Sequence, residues 1–212
     1  MKRRFYIEST PCYSTEAAAL LRELNAALNI QTLTKVRLIQ VYDLFALEEN
    51  EQDKVRAVLM QPTRDELVDE TALLQSLNST PHFAIESLPG QYDQRAYSAE
   101  LGFKVAGASH KTQVSTALLY CFNEDLSGSD LEKIQNYCFN PINSRLKDLS
   151  LEINDTRFID TRAPKAVEKI ADFIHMSESK LVEFKLGMGL AMEFEDLEHI
   201  QKYYQSEKRN PT

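Results

Sequence analysis

The order of apolar and polar positions in the first 150 residues predicts strands and helices in the same order twice. A short strand is followed by a helix in which apolar residues recur at the three- and four-residue spacing of one helix face. A longer strand, a second helix and a weak last strand complete each β-α-β-α-β series. The predicted strands cover 4–8, 36–42, 66–70, 82–86, 114–120 and 145–149, and the predicted helices begin near 14, 52, 93 and 129.

Residues with known end preferences mark the limits of these helices. Ser14 is expected to cap the first helix, whose apolar face begins with Ala17. The Ser-Asp-Leu-Glu run that starts at Ser129 has the spacing of a capping box. Pro62 and Pro141 follow the second helix of each series, and we expect each to end it.

Identical residues recur through the two series at an offset of 78 positions. From Val55 onward the offset becomes 79, which pairs Val55 with Ile134 and Leu67 with Leu146. We therefore predict an α+β protein with duplicated ferredoxin-like, PurS-like β-α-β-α-β units, 1–78 and 79–150, joined as a pseudo-two-fold pair with a shared core. The pairs at offset 78 are Phe5/Phe83, Ile7/Ile85, Glu8/Glu86, Ser9/Ser87, Pro11/Pro89, Ala18/Ala96, Thr34/Thr112, Val36/Val114 and Tyr42/Tyr120.

The remaining residues, 151–212, predict a small helical linker domain. A first helix is expected to start at Pro164 and to place Val167, Ile170 and Ile174 on one face. A second begins at Ser177 and ends at Gly187. The stripe that predicts the last helix is Leu190, Phe194, Leu197, Ile200 and Tyr204.

Composition and charge argue against several classes of function. The chain has 212 residues and a net charge of −8, which disfavours binding to nucleic acid or to an anionic membrane. It has six glycines and no phosphate-binding loop. Three cysteines without a C-x-x-C pair and four scattered histidines predict neither a disulfide framework nor a metal site. With no signal sequence or membrane span, we expect a cytoplasmic protein.

Candidate chemistry is sparse. Gln91, Asp93, Gln94 and Arg95 could form a binding surface at a helix start, although a turn followed by an Asp cap explains the same residues and is favoured. The acidic run from Glu193 to Glu198 is best explained as a solvated helix start. We predict no catalytic, cofactor-binding or metal-binding residue.

The segment Leu-Pro-Gly-Gln-Tyr-Asp-Gln-Arg-Ala, residues 88–96, resembles a motif of the large single-chain phosphoribosylformylglycinamidine synthases. The tail segments Leu-Gly-Met-Gly-Leu-Ala-Met (186–192) and Arg-Asn-Pro-Thr (209–212) resemble the linker of the same family. Arg4–Glu8, near the start of the chain, and Val36–Asp43 also fit the family. Small departures are Asn210 in place of an acidic residue and Tyr92 and Tyr204 in place of Phe.

This resemblance implies that the chain is the N-terminal portion of a purine-biosynthesis ligase. The family converts formylglycinamide ribonucleotide to formylglycinamidine ribonucleotide with ATP, magnesium and ammonia from a glutamine amidotransferase part. Its substrate and nucleotide motifs follow the Arg-Asn-Pro-Thr segment, so we expect the 212 residues to hold no cofactor and to be inactive alone. They are expected to organise the synthetase and glutaminase domains, with Gln91, Asp93, Gln94 and Arg95 as interdomain contacts. The alternative is a stand-alone small-ligand-binding or protein-interaction module, with a pocket between the repeats.

Overall fold

The computed structural model describes residues 3–46, 48, 51–108, 112–151, 153 and 166–212. The chain divides into two compact units, Met1–Asp160 and Thr161–Thr212. The first unit is a mixed α+β fold, as predicted. Its strands are β1 (Arg3–Ser9), β2 (Val36–Phe45), β3 (Asp65–Val68), β4 (His82–Ser87), β5 (Gln113–Phe122) and β6 (Ser144–Leu146). Its helices are α1 (Thr15–Leu28), α2 (Gln52–Leu59), α3 (Glu70–Leu77), α4 (Gln94–Val105) and α5 (Gly128–Cys138).

The six strands form one antiparallel sheet in the order β3-β1-β2-β5-β4-β6. Each edge strand is short, which limits the unpaired backbone available for aggregation. Strand β1 pairs with β2 and β3, and strand β4 pairs with β5 and β6. Pairing of β2 with β5 joins these two sets of three strands.

The two faces of the sheet carry different helices because side chains alternate along each strand. Even-numbered residues of β2 and β5, such as Tyr42 and Val114, pack beneath α1, α2, α4 and α5. Within this layer α1 contacts α5 and α2 contacts α4. Odd-numbered residues, such as Ile39 and Leu119, pack on the other face against α3. The central strands are therefore buried on both faces.

Helix α3 is the main element that the sequence pattern did not predict. The weak strand expected over 66–70 ends at Val68, because the Asp69 side chain accepts a hydrogen bond from the Ala72 amide at 2.8 Å and starts a helix. Leu73 and Leu77, one turn apart, are then buried against the sheet.

Two predicted caps differ in detail. Ser14 does precede α1, but its hydroxyl donates to the Pro11 carbonyl oxygen at 2.9 Å and makes no cap hydrogen bond. Helix α5 begins at Gly128, one residue before the expected start. Its cap is Ser127, whose hydroxyl oxygen accepts from the Asp130 amide at 3.1 Å. Helix α1 still buries the face that its spacing predicts, including Ala17 and Leu24.

The second unit contains α6 (Glu178–Gly187), α7 (Phe194–Ser206) and a 3-10 helix over Phe173–His175. Phe173, Leu181 and Leu197 form its buried centre. The buried Gln201 amide donates to the Phe173 and Met176 carbonyl oxygens, at 2.9 Å each. These bonds hold the 3-10 helix against α7.

The helix predicted from Pro164 is wrong in its described part. Residues 161–165 lie outside the described residues, and 166–172 are not helical. The Ile170 amide donates to the Pro211 carbonyl oxygen at 2.9 Å, and the Ile174 amide donates to the Asn210 side chain at 3.2 Å. These two backbone amides, which a helix would bond to its own carbonyl oxygens, therefore donate to residues 210 and 211 instead.

Candidate functional site

A tight turn opens the segment that sequence analysis singled out. Gly90 has φ of 87°, a left-handed conformation that favours glycine, and the Gln91 amide donates to the Leu88 carbonyl oxygen at 3.0 Å. The Leu88 amide donates to the Asn143 carbonyl oxygen at 3.0 Å. This hydrogen bond links the turn to the residue that precedes β6.

Asp93 has a clear structural role. One carboxylate oxygen accepts from the Ala96 amide at 2.9 Å and caps α4. The other accepts from the Thr116 hydroxyl at 2.8 Å and from the Thr116 amide at 3.2 Å. The carboxylate thus joins the start of α4 to strand β5, and both of its oxygens are engaged inside the fold.

The other three predicted contact residues, Gln91, Gln94 and Arg95, are exposed. They lie beside an exposed apolar stripe along α4. Tyr92 is 71% exposed, its ring lies 5.8 Å from that of Tyr97, and Val105 at the far end is 84% exposed. Such a stripe is typical of a surface that packs against another protein segment. Its members are Tyr92, Tyr97, Leu101 and Val105.

A cavity of about 720 Å³ lies on the helix-covered face of the sheet. Its floor is formed by β1 and β2, including Gln40 and Tyr42, and its walls by the start of α1 and the end of α2. Arg95, from the start of α4, also lines it. A smaller cavity of about 250 Å³ lies beneath the turn at Gly90. Polar side chains from both predicted repeats therefore meet around the larger cavity.

A buried ion cluster occupies the opposite face of the sheet, and sequence analysis did not find it. Asp43 binds Arg4 through two contacts, Nε–Oδ1 at 2.6 Å and Nη2–Oδ2 at 3.1 Å. The Lys147 ammonium lies 2.9 Å from Asp43 Oδ2 and 2.5 Å from Glu86 Oε2. Glu86 also binds Arg145 at 2.7 Å. Through Lys147, the cluster links the segment after β6 to Glu86 in β4 and to Asp43 in β2.

Burial shifts the pKa values of two groups in this core. Burial lowers the pKa of Arg4, but the hydrogen bonds and charge of Asp43 more than offset this, so the net pKa is raised. Burial raises the pKa of the Tyr6 phenol, against the opposing effect of the Arg4 guanidinium. Arg4 thus stays charged and Tyr6 stays neutral near neutral pH.

The cysteines show no sign of activation. Burial raises the pKa of Cys121 to about 12 and that of Cys138 to about 11, so both are thiols at neutral pH. Cys12 is exposed.

The remaining titratable candidates are separate from one another. His82 Nδ1 lies 2.7 Å from the Thr80 carbonyl oxygen, whereas His175 ends the 3-10 helix and His199 lies on α7. His110 lies outside the described residues. Glu193 and Asp196 form a capping box at the start of α7, as expected of a helix start. No group of three or more His, Cys, Asp or Glu in the described part of the chain is arranged to hold a metal ion.

Comparison of the chain with models of known protein families and with curated proteins finds no match. Among the residues that the structure covers, no helix combines the length and apolar character needed to cross a membrane.

Proposed function

We propose that this chain is the non-catalytic N-terminal portion of a cytoplasmic phosphoribosylformylglycinamidine synthase. In this proposal, residues 1–78 and 79–150 are duplicated ferredoxin-like, PurS-like units, and the helical residues after them are the linker. The chain organises the synthetase and glutaminase parts of the enzyme, which supply the ATP- and magnesium-dependent chemistry. The 212 residues by themselves turn over neither ATP nor glutamine.

The strand register supports the duplication. Phe5 lies opposite Tyr42 in the β1–β2 pair, and Phe83 lies opposite Tyr120 in the β4–β5 pair, so the same partners recur 78 residues later. Where β2 meets β5, Gln40 lies opposite position 118, which is 40 + 78. A residue that pairs with its own counterpart lies on a local two-fold axis.

The helix layer supports a shared core between the two units. Helix α1 of the first repeat packs on α5 of the second, and α2 of the first packs on α4 of the second. At Gly102 in α4, an added Cβ would lie 2.8 Å from Val58 Cγ1 in α2, so these two helices approach closely. Each repeat therefore covers part of the apolar surface of the other.

The exposed face of α4 is the observation that carries the proposed organising role. Its apolar stripe from Tyr92 to Val105 adjoins the exposed polar residues Gln91, Gln94 and Arg95 of the family-like motif. An apolar centre with a polar rim is the usual composition of a protein interface. We assign this face to contact with the rest of the synthase.

A reconstitution experiment tests this proposal. The 212-residue chain is added to a large single-chain synthase from which the corresponding N-terminal portion has been removed, and formation of formylglycinamidine ribonucleotide is measured. Neither part should be active alone, and the mixture should be active. Leu101→Asp, on the stripe, should prevent reconstitution. The control Leu74→Asp, at an exposed apolar position of α3 on the other face of the sheet, should not. Turnover by the 212 residues alone, or no activity from the wild-type mixture, would contradict the proposal.

A second candidate function, a small-ligand-binding module, is favoured by one specific observation. The larger cavity receives Arg95 from the second repeat, whereas its floor comes from the first. This is the arrangement expected for a ligand site between duplicated units. Ligand binding by the isolated chain, without reconstitution of synthase activity, would favour this candidate.

A further inference from the structure

We propose that the 720 Å³ cavity on the helix-covered face of the sheet binds a small zwitterion, a free amino acid or a short peptide. Its volume lies within the range of roughly 300–1,000 Å³ that is typical of small-molecule sites. The inference names the ligand class for the second candidate function above, on which it rests, and does not depend on the synthase proposal.

Two polar side chains on the cavity floor have no protein partner. Tyr42 is only 5% exposed and Gln40 is half-buried, and neither side chain forms a hydrogen bond with another described residue. The polar atoms of both side chains are accessible rather than buried, so they are open to a ligand in the cavity. The position equivalent to Gln40 in the second repeat is Leu118, so the polar floor belongs to one repeat only. This floor offers an amide and a hydroxyl to a polar ligand.

Charged residues of both signs surround the cavity on the helix-covered face: Arg64 and Arg95 are cationic, and Glu16 and Asp65 are anionic. This mixture favours a ligand that carries both signs over a polyanion or a simple cation.

An internal ion pair satisfies part of this set. Arg64 Nε lies 3.6 Å from Asp65 Oδ1, and Asp65 also accepts hydrogen bonds from the Ser9 hydroxyl and the Gln61 backbone amide. The Arg37–Glu8 pair lies on the other face of the sheet, because Glu8 is opposite Ile39 and Arg37 is opposite Cys121. Charges of both signs therefore remain uncommitted on the cavity lining.

Arg95 and Glu16 are the uncommitted charges on the helix walls. Each lies in the first turn of its helix, α4 and α1 respectively, and within the described part of the chain neither forms an ion pair or a side-chain hydrogen bond. A guanidinium binds a carboxylate through two parallel hydrogen bonds. A carboxylate such as that of Glu16 is the matching partner of an ammonium group. A ligand with a carboxylate, an ammonium and polar groups between them complements Arg95, Glu16 and the floor.

A set of matched ligands tests each contact separately. The dipeptide Gly-Ser carries both charges, N-acetyl-Gly-Ser lacks the ammonium, and Gly-Ser amide lacks the carboxylate. Binding to the whole chain is followed by NMR through the side-chain amide signal of Gln40. A small polar ligand with a dissociation constant of ~1 mM would shift this signal nearly fully at about 10 mM. Both blocked dipeptides should bind about tenfold more weakly than Gly-Ser.

Variants then assign each charge to a residue. Arg95→Gln should weaken Gly-Ser about tenfold and leave Gly-Ser amide unaffected, because the amide has no carboxylate to lose. Glu16→Gln should do the same for the ammonium, leaving N-acetyl-Gly-Ser unaffected. Tyr42→Phe, which keeps the buried ring, should weaken all of the ligands. Arg22→Gln, an exposed arginine of α1 outside the cavity, is the matched control and should change nothing.

Free serine distinguishes the two ligand sources. Serine binding more tightly than Gly-Ser supports an amino-acid site, and the reverse order supports a peptide site. The proposal is overturned if none of these compounds shifts the Gln40 signal, or if the blocked dipeptides bind as tightly as Gly-Ser. It is also overturned if Arg95→Gln and Glu16→Gln bind all of them with wild-type affinity.

Discussion

Replacing Asp43 by Asn should be among the most destabilising single substitutions on the α3 side of the sheet. The Asp43 side chain is 3% exposed and accepts from both Arg4 and Lys147, whose side chains are 6% and 10% exposed. The substitution keeps the shape of the side chain and removes its charge. Lys147 then keeps Glu86, whereas Arg4 loses the carboxylate that it binds and keeps the Leu149 carbonyl oxygen.

The magnitude follows from the burial of these groups. Breaking a buried ion pair by changing one partner typically costs about 3–5 kcal/mol, since the other charge is left uncompensated. Asparagine can still accept hydrogen bonds, so we expect about 3 kcal/mol, near the lower end. Lys147→Met should cost less, about 1–2 kcal/mol, because Asp43 keeps Arg4 and Glu86 keeps Arg145.

Urea denaturation followed by far-UV circular dichroism measures these changes. For a chain of this size, about 3 kcal/mol corresponds to a fall in Tm of roughly 6–12 °C. Lys133→Met is the matched control, because its pair with Asp130 lies on the surface of the same unit and should leave the midpoint unchanged. If Asp43→Asn unfolds at the same urea concentration as this control, the cluster does not contribute to stability as argued.

Three further predictions concern the core and the motif. The protein should lose stability above pH 9, because burial raises the pKa of Cys121 from 9.0 to about 12 and the thiol of the unfolded chain ionises first. In Cys121→Ala, this loss of stability should be smaller by on the order of 2 kcal/mol at pH 11. An unchanged dependence of stability on pH in this variant would contradict the prediction. Asp93→Ala should cost about 2 kcal/mol, through loss of the α4 cap and of the link to Thr116, while Asp93→Asn should cost clearly less, as measured by urea denaturation. Gly102→Ala should lower the free energy of unfolding by about 1 kcal/mol despite the better helix propensity of alanine, because its Cβ would meet Val58. The double variant with Val58→Ala should lose less stability than the sum of the two single variants. Strictly additive losses of stability would refute the contact.

The amino-acid pattern alone determined most of the first unit. Strand and helix order, the spacing of the buried face of α1 and the cap at Asp93 all follow from preferences that act within a few residues. The exposed position of Gln94 and Arg95 also fits the predicted surface at a helix start. The 78-residue offset, read from the sequence, also matches the way in which β2 and β5 are paired.

The tertiary structure decided the features that depend on distant partners. Asp43 is one of two charged residues in β2, and nothing near it in sequence reveals that Lys147, 104 positions later (147 − 43), binds it. Residues 166–172 have helical spacing, yet the Ile170 amide donates to the Pro211 carbonyl oxygen and the segment is not helical. The cavity, too, depends on how α1, α2 and the start of α4 are arranged around Gln40. Local patterns specify which elements form, whereas burial, ion pairing and cavities depend on which elements meet, and that is set by packing across the whole sheet.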